Sequence, residues 1–225
     1  MGDISTVGQD VSLPLNQYGA LIWADPSDQA RHEAIVVVPS FPDIIILDTW
    51  NYWVSAWLEV LERFIAWLPW QYSIDPHRVY GTGQSMGCMA SMYLANRNPS
   101  IFRAMMLVGG QWRTDQLRRL KESTFVYLAA EGDGRALQGQ KEVKAMFDQE
   151  GVAYGQLASS WDARSGADSL NQRGLNLFGQ KERRNFVTFT QGSVLAANPG
   201  ADNEHVASFE VSYRIRTMRR WLLAQ

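Results

Sequence analysis

The sequence predicts an α/β fold: a mostly parallel sheet flanked by helices. Three observations carry this. Strand-like and helix-like runs alternate along the chain. A G-x-S-x-G pentapeptide, Gly83-Gln84-Ser85-Met86-Gly87, stands between one such strand and one such helix. The 225 residues, 46% of them hydrophobic, suit one compact domain over residues 1–225 with a sizeable core.

The elements follow in order. Ala34–Val38 reads as a strand closed by Pro39 and Pro42. Asp48 or Thr49 then caps a helix to about Trp67, stopped by Pro69. Its Leu58, Leu61, Ile65 and Leu68 recur at helical spacing, and Glu59 and Arg63 can pair on the wet side. A strand at Arg78–Gly81 leads into the pentapeptide, and a helix over Cys88–Asn96 leaves it. Residues 103–108 form a buried strand ended by Gly109-Gly110, and Thr124–Ala129 forms the next. A helix covers Leu137–Gln149, and Val152–Ser159 is strand-like. A helical stretch around 167–182 and a strand at 186–190 read as an insertion. A last helix spans about Val206–Leu223.

The pentapeptide sets the chemistry. A strand that turns abruptly into a helix holds the central serine in a strained conformation with Oγ exposed at the strand's C-terminal end. Glycines two residues away on either side relieve the crowding. The helix points its N-terminus at the serine, so its free N–H groups favour developing negative charge; the Met86 N–H is the candidate oxyanion donor. An ordinary glycine-rich strand–helix turn would give the same five letters, and only the flanking elements favour a nucleophile.

A serine needs a base, and the chain has three histidines. His32 and His77 immediately precede apolar strand-like runs, so they sit at strand N-terminal ends, away from an elbow serine. His205 remains, in a polar loop just before the last helix, where it can fold back over the sheet edge. The third member must orient the imidazole. Asp133, in Glu131-Gly132-Asp133-Gly134 just past a strand, is the best placed acid; Glu131 and the later Asp162 are rivals.

Composition excludes several classes. A net charge of −2 gives no footprint for a polyanion partner such as nucleic acid. Arg214, Arg216, Arg219 and Arg220 read as a solvated face of the last helix. Cys88 is the lone cysteine, so no intrachain disulfide forms, and it reads as a small buried filler. No metal-ligand cluster, phosphate loop or dinucleotide fingerprint is present, so neither a metal nor a cofactor is expected. No secretory signal or membrane span is read in these residues. The opening Met1-Gly2-Asp3-Ile4-Ser5-Thr6 matches a myristoylation pattern only formally.

The run Ile74-Asp75-Pro76-His77-Arg78-Val79-Tyr80-Gly81-Thr82-Gly83-Gln84-Ser85-Met86-Gly87 resembles the α/β-hydrolase family. So do Glu131-Gly132-Asp133 and Glu204-His205-Val206-Ala207-Ser208-Phe209. Within that family the likeness is to compact esterases related to polyhydroxyalkanoate depolymerases and feruloyl esterases. Gly19–Ala24 and Arg220-Trp221-Leu222-Leu223 extend it over most of the chain. The resemblance implies a Ser85–Asp133–His205 triad and hydrolysis of carboxylic esters through an acyl-enzyme. It also implies strands and a His-Gly oxyanion loop ahead of the segment matching Gly19–Ala24. The eighteen residues before Gly19 hold no His-Gly. The chain therefore reads as N-terminally truncated, or as beginning inside that loop with Gly2-Asp3 as its remnant. A sheet edge bared in this way would invite pairing with another copy of the chain.

Substrate contacts are expected from Gln84 beside the serine, and from Trp50 and Trp161 after strand ends. Trp53 and Trp57, at i and i+4, read as core packing. The absence of a large lid insertion leans towards short or soluble esters; aryl and sugar esters enter by family analogy. Two other classes fit the same fold: a non-catalytic binding protein, and a serine peptidase. Labelling by an active-serine probe separates the first from the esterase, and ester against anilide turnover separates the second.

Overall fold

The structure, a computed structural model, describes residues 2–49 and 51–225. Five strands form one parallel sheet in the order β3-β4-β5-β7-β6. They are β3 (Tyr80–Gln84), β4 (Ala104–Val108), β5 (Phe125–Ala130), β6 (Gly155–Gln156) and β7 (Arg184–Phe189). A separate two-residue antiparallel pair joins β1 (Ile46–Leu47) to β2 (Trp53–Val54). Helices α3 (Trp57–Gln71), α4 (Met86–Arg97), α5 (Gly134–Gln149), α6 (Ala167–Phe178), α8 (Glu204–Arg214) and α9 (Arg216–Leu223) flank the sheet. Single turns form α1 (Tyr18–Leu21), α2 (Pro26–Gln29) and α7 (Ser193–Ala197).

Side-chain alternation explains why β4 and β5 are apolar throughout. Met105, Leu107, Phe125 and Tyr127 enter the core shared with α3, α4 and α5. Ala104, Met106, Val108, Val126, Leu128 and Ala130 enter the opposite core, with residues of α6, α8 and α9. A strand covered on both faces has no wet side, so its sequence reads as a continuous apolar run.

The structure departs from the sequence reading at several elements. Among the described residues, 34–38 form no ladder. Val36 packs on the α8–α9 side, whereas Phe41 packs on the α4 side and its carbonyl accepts from the Gly8 N–H at 2.9 Å. A β-branched run becomes a strand only where a neighbour offers an edge in register, and here the segment crosses between the two cores. The helix expected from residue 48 begins at Trp57, because Trp53–Val54 pairs back on Ile46–Leu47 as the β1–β2 pair. Pro69 falls in the last turn of α3 and does not stop it. The Leu58, Leu61 and Leu68 stripe is buried as expected, but Glu62, not Glu59, meets a cation, Arg97 at 3.4 Å.

Residues 152–159 give only the short β6 and, at Trp161, a bridge to Phe189. The strand expected at 186–190 is no part of an insertion: β7 lies inside the sheet, between β5 and β6. The last helix is two, broken at Ile215 in an extended conformation.

That break turns Arg219 inward, against the expectation of a solvated face. Its Nε donates to Asp28 Oδ2 at 2.6 Å, both side chains are 7% exposed, and its Nη1 donates to the Tyr213 carbonyl. The pair joins α2 to α9 across most of the chain's length. Removing one partner of a buried ion pair leaves an uncompensated charge, at a cost of about 3–5 kcal/mol. Asp28→Asn is therefore expected to lower unfolding free energy by that amount in urea titrations. Replacing both partners with apolar residues of similar volume should recover most of it.

Candidate active site

The site lies at the C-terminal edge of the sheet. The ladders of β3, β4 and β5 each continue one residue into the loop that follows. The Ser85 N–H donates to the Val108 carbonyl at 2.9 Å, Gly109 to Leu128 at 2.9 Å, and Glu131 to Phe189 at 2.9 Å. The loops that carry Ser85 and Asp133 are thus fastened to the sheet at their first residue.

Ser85 has φ 49° and ψ −117°, and forms the N-cap of α4. A non-glycine residue with positive φ costs of order 1–3 kcal/mol and persists where surrounding contacts over-determine it. Gly83 shows one such constraint: a Cβ there would lie 2.2 Å from the Gly87 carbonyl oxygen. The turn can be this tight only with glycine at that position.

The three residues expected at the site meet. His205 Nε2 lies 3.0 Å from Ser85 Oγ, and His205 Nδ1 lies 2.5 Å from Asp133 Oδ2. Asp133 is buried and also caps α5, accepting from the Ala136 N–H at 3.3 Å. His205 stands in the first turn of α8, whose N-cap is Asn203, and its ring meets Phe209 edge-on at 4.8 Å. Its side chain is 35% exposed, so the imidazole is open to a ligand. Met86 is the first residue of α4, where backbone N–H groups have no partner within the helix.

The rivals are engaged elsewhere. Asp162 pairs with Arg164 at 2.7 Å, and hydrogen bonds from that side chain and backbone hold its carboxyl down at about 2. Glu131 accepts from the Gln191 N–H at 2.9 Å. His77 lies in the turn before β3, at the far end of the strand from Ser85. Cys88 is fully buried one turn into α4, and burial pushes its thiol well up, which removes thiolate character.

The expected substrate contacts fare differently. Gln84 is 4% exposed, and its Nε2 donates to Asp3 Oδ2 at 3.1 Å and Gln17 Oε1 at 3.2 Å. Gln17 Nε2 in turn donates to Asp3 Oδ2 at 2.6 Å. Gln84 therefore ties the elbow to the N-terminal turn, where the Gly2 carbonyl accepts from the Gly87 N–H at 2.9 Å. Trp161 is 1% exposed and carries the Arg173 guanidinium over its ring, so it faces the core. Trp50 lies outside the described residues. Trp53 and Trp57, expected in the core, are both exposed.

Sequence reasoning missed two polar groupings at this edge. One is the Asp3–Gln17–Gln84 network, which no local pattern announces. The other is buried Asp48, which meets Arg135 at 2.5 Å and accepts from Gln111 Nε2. An open groove of about 600 Å³ beside α3 lies towards the opposite edge of the sheet and is lined by none of Ser85, Asp133 and His205.

The fold and this edge define a class: an α/β protein with a mostly parallel sheet between helices and a serine on a strand-to-helix elbow at the sheet's C-terminal edge. No family model matches the sequence, and no curated protein matches it. Among solved structures, the chain is similar to one described as a thermostable esterase. The TM-score is 0.77 at 19% identity, over 100% of this chain and 53% of that one. The chain thus spans about half the length of that esterase, and the likeness is one of fold.

Proposed function

We propose that the chain carries the catalytic centre of a serine carboxylesterase. The observation that supports this most directly is the imidazole of His205, hydrogen-bonded to Ser85 Oγ on one side and to the Asp133 carboxylate on the other. In the proposed reaction His205 Nε2 takes the Ser85 proton as Oγ attacks the ester carbonyl. Asp133 holds the Nδ1–H tautomer and stabilises the imidazolium that forms. The Met86 N–H, at the N-terminus of α4, faces the oxyanion. The Gly2–Asp3 turn, fastened beside the elbow, is the proposed source of a second donor. His205 then protonates the leaving alcohol, and water repeats the sequence to release the acid.

Carboxylic esters with short acyl or aryl groups are the proposed substrates. The esterase fold neighbour and the sequence resemblance favour ester over amide turnover. The test is p-nitrophenyl butyrate hydrolysis combined with fluorophosphonate labelling. Turnover together with covalent modification of Ser85 is expected. An unlabelled serine in protein that otherwise binds butyrate esters would turn the reading towards a binding protein.

A further inference from the structure

We propose that Glu204 is a positioning residue, whose buried carboxylate fastens the loop carrying Asp133 to the helix carrying His205. This rests on the reading of Ser85, Asp133 and His205 as catalytic. Glu204 immediately precedes His205 and is 8% exposed. Its Oε2 accepts from the Gly132 N–H at 3.2 Å, and Gly132 immediately precedes Asp133. Its Oε1 accepts from the Gly192 N–H at 2.8 Å, in the loop after β7. One carboxylate therefore joins three chain segments around the Asp133–His205 contact.

Ordinary helix chemistry does not account for this placement. An acid in the first turn favours the helix dipole without reaching away from the helix. The capping is already done by Asn203, whose Oδ1 accepts from the Val206 N–H at 3.0 Å. The two N–H donors approach different oxygens, and only a carboxylate accepts at both; a glutamine would turn its NH2 towards one of them. Both bonds are of the charge-assisted kind, which holds geometry more tightly than neutral pairs do. Gly132 fits the same picture from the other side. A Cβ at 132 would lie 2.0 Å from Glu204 Oε1, whereas Gly132 is not among the positive-φ glycines. Alanine there suits the backbone and forces only the carboxylate to move.

The test compares Gly132→Ala, Glu204→Gln and the double variant with the wild type. Two readouts are taken: kcat and KM for p-nitrophenyl butyrate, and imidazole ¹⁵N shifts of His205 with the ring neutral. Misplacing catalytic groups by about 1 Å can cost about 10²-fold. Each single variant is therefore expected to lose about 10- to 100-fold in kcat with KM nearly unchanged. The double variant should lose no more than the worse single, because both remove one clamp. The His205 ring should change from a fixed Nδ1–H tautomer to a mixture of tautomers. A fixed tautomer and unchanged kcat in Gly132→Ala would overturn the proposal, and so would strictly additive losses. If the wild type itself does not turn over esters, the catalytic reading falls. The ring shifts alone then decide whether Glu204 sets the His205 geometry. If Glu204→Gln fails to fold, Gly132→Ala carries both readouts.

Discussion

Ser85→Ala is expected to lower p-nitrophenyl butyrate turnover by on the order of 10⁴- to 10⁶-fold, and His205→Ala by a similar factor. The reason is the single hydrogen-bonded path between them. Ser85 Oγ at neutral pH is a poor nucleophile until Nε2, 3.0 Å away, can take its proton. Removing either end disables the same step, so the double variant should be no slower than the worse single. Additive losses would mean that the two residues act separately. Stability separates the serine's chemistry from its conformation. Ser85 sits at φ 49° and ψ −117°, which alanine tolerates no better than serine and glycine tolerates freely. Ser85→Gly is thus expected to be as inactive as Ser85→Ala, yet more stable by about 1 kcal/mol or more in urea titrations. An equally unstable glycine variant would show that the elbow stores no strain.

The parts of the fold legible in the sequence are those set by local rules. Strands at 103–108 and 124–129 read correctly because burial on both faces leaves an unbroken apolar signal. The helix after Asp133 is legible from Leu137 to Gln149, but its first turn, with the Asp133 cap, is not. That Ser85, Asp133 and His205 would meet was legible because each follows or precedes an element whose type the sequence announces. What failed depended on distant partners. The Ile35–Val38 run has strand propensity but joins no ladder among the described residues. Arg219 looks like a surface cation until Asp28, 191 residues earlier in the chain, folds against it. Gln84 sits beside Ser85 and so suggested a ligand contact; Asp3 and Gln17 instead enclose it. Glu204 could have been suspected as an acid next to the histidine. The signal that makes it specific, a glycine at 132 with no room for a Cβ, is three-dimensional.

Asp133→Asn should cost about 10⁴-fold in kcat while leaving the protein folded and nearly as stable as the wild type. The carboxylate has two separable tasks. It caps α5 by accepting from the Ala136 N–H, and it accepts from His205 Nδ1 at 2.5 Å through the other oxygen. Asparagine is as good a helix cap as aspartate, so the first task survives. The second does not. If the amide nitrogen faces Nδ1 it donates, and the imidazole must carry its proton on Nε2, the tautomer that cannot accept from Ser85. If the amide oxygen faces Nδ1 instead, the tautomer is right, but the cap is lost and no negative charge stabilises the imidazolium. Asp133→Ala should be comparably slow and, having lost the cap as well, less stable by about 1 kcal/mol. The pair of variants thus reads charge against capping at one position. An asparagine variant that keeps wild-type kcat would remove Asp133 from the mechanism. A variant slow only in proportion to lost stability would reduce its role to holding α5. Glu131, whose carboxylate accepts from the Gln191 N–H, offers the internal comparison: Glu131→Gln should leave kcat within a few-fold of the wild type, because its bond holds a loop and does not touch the imidazole.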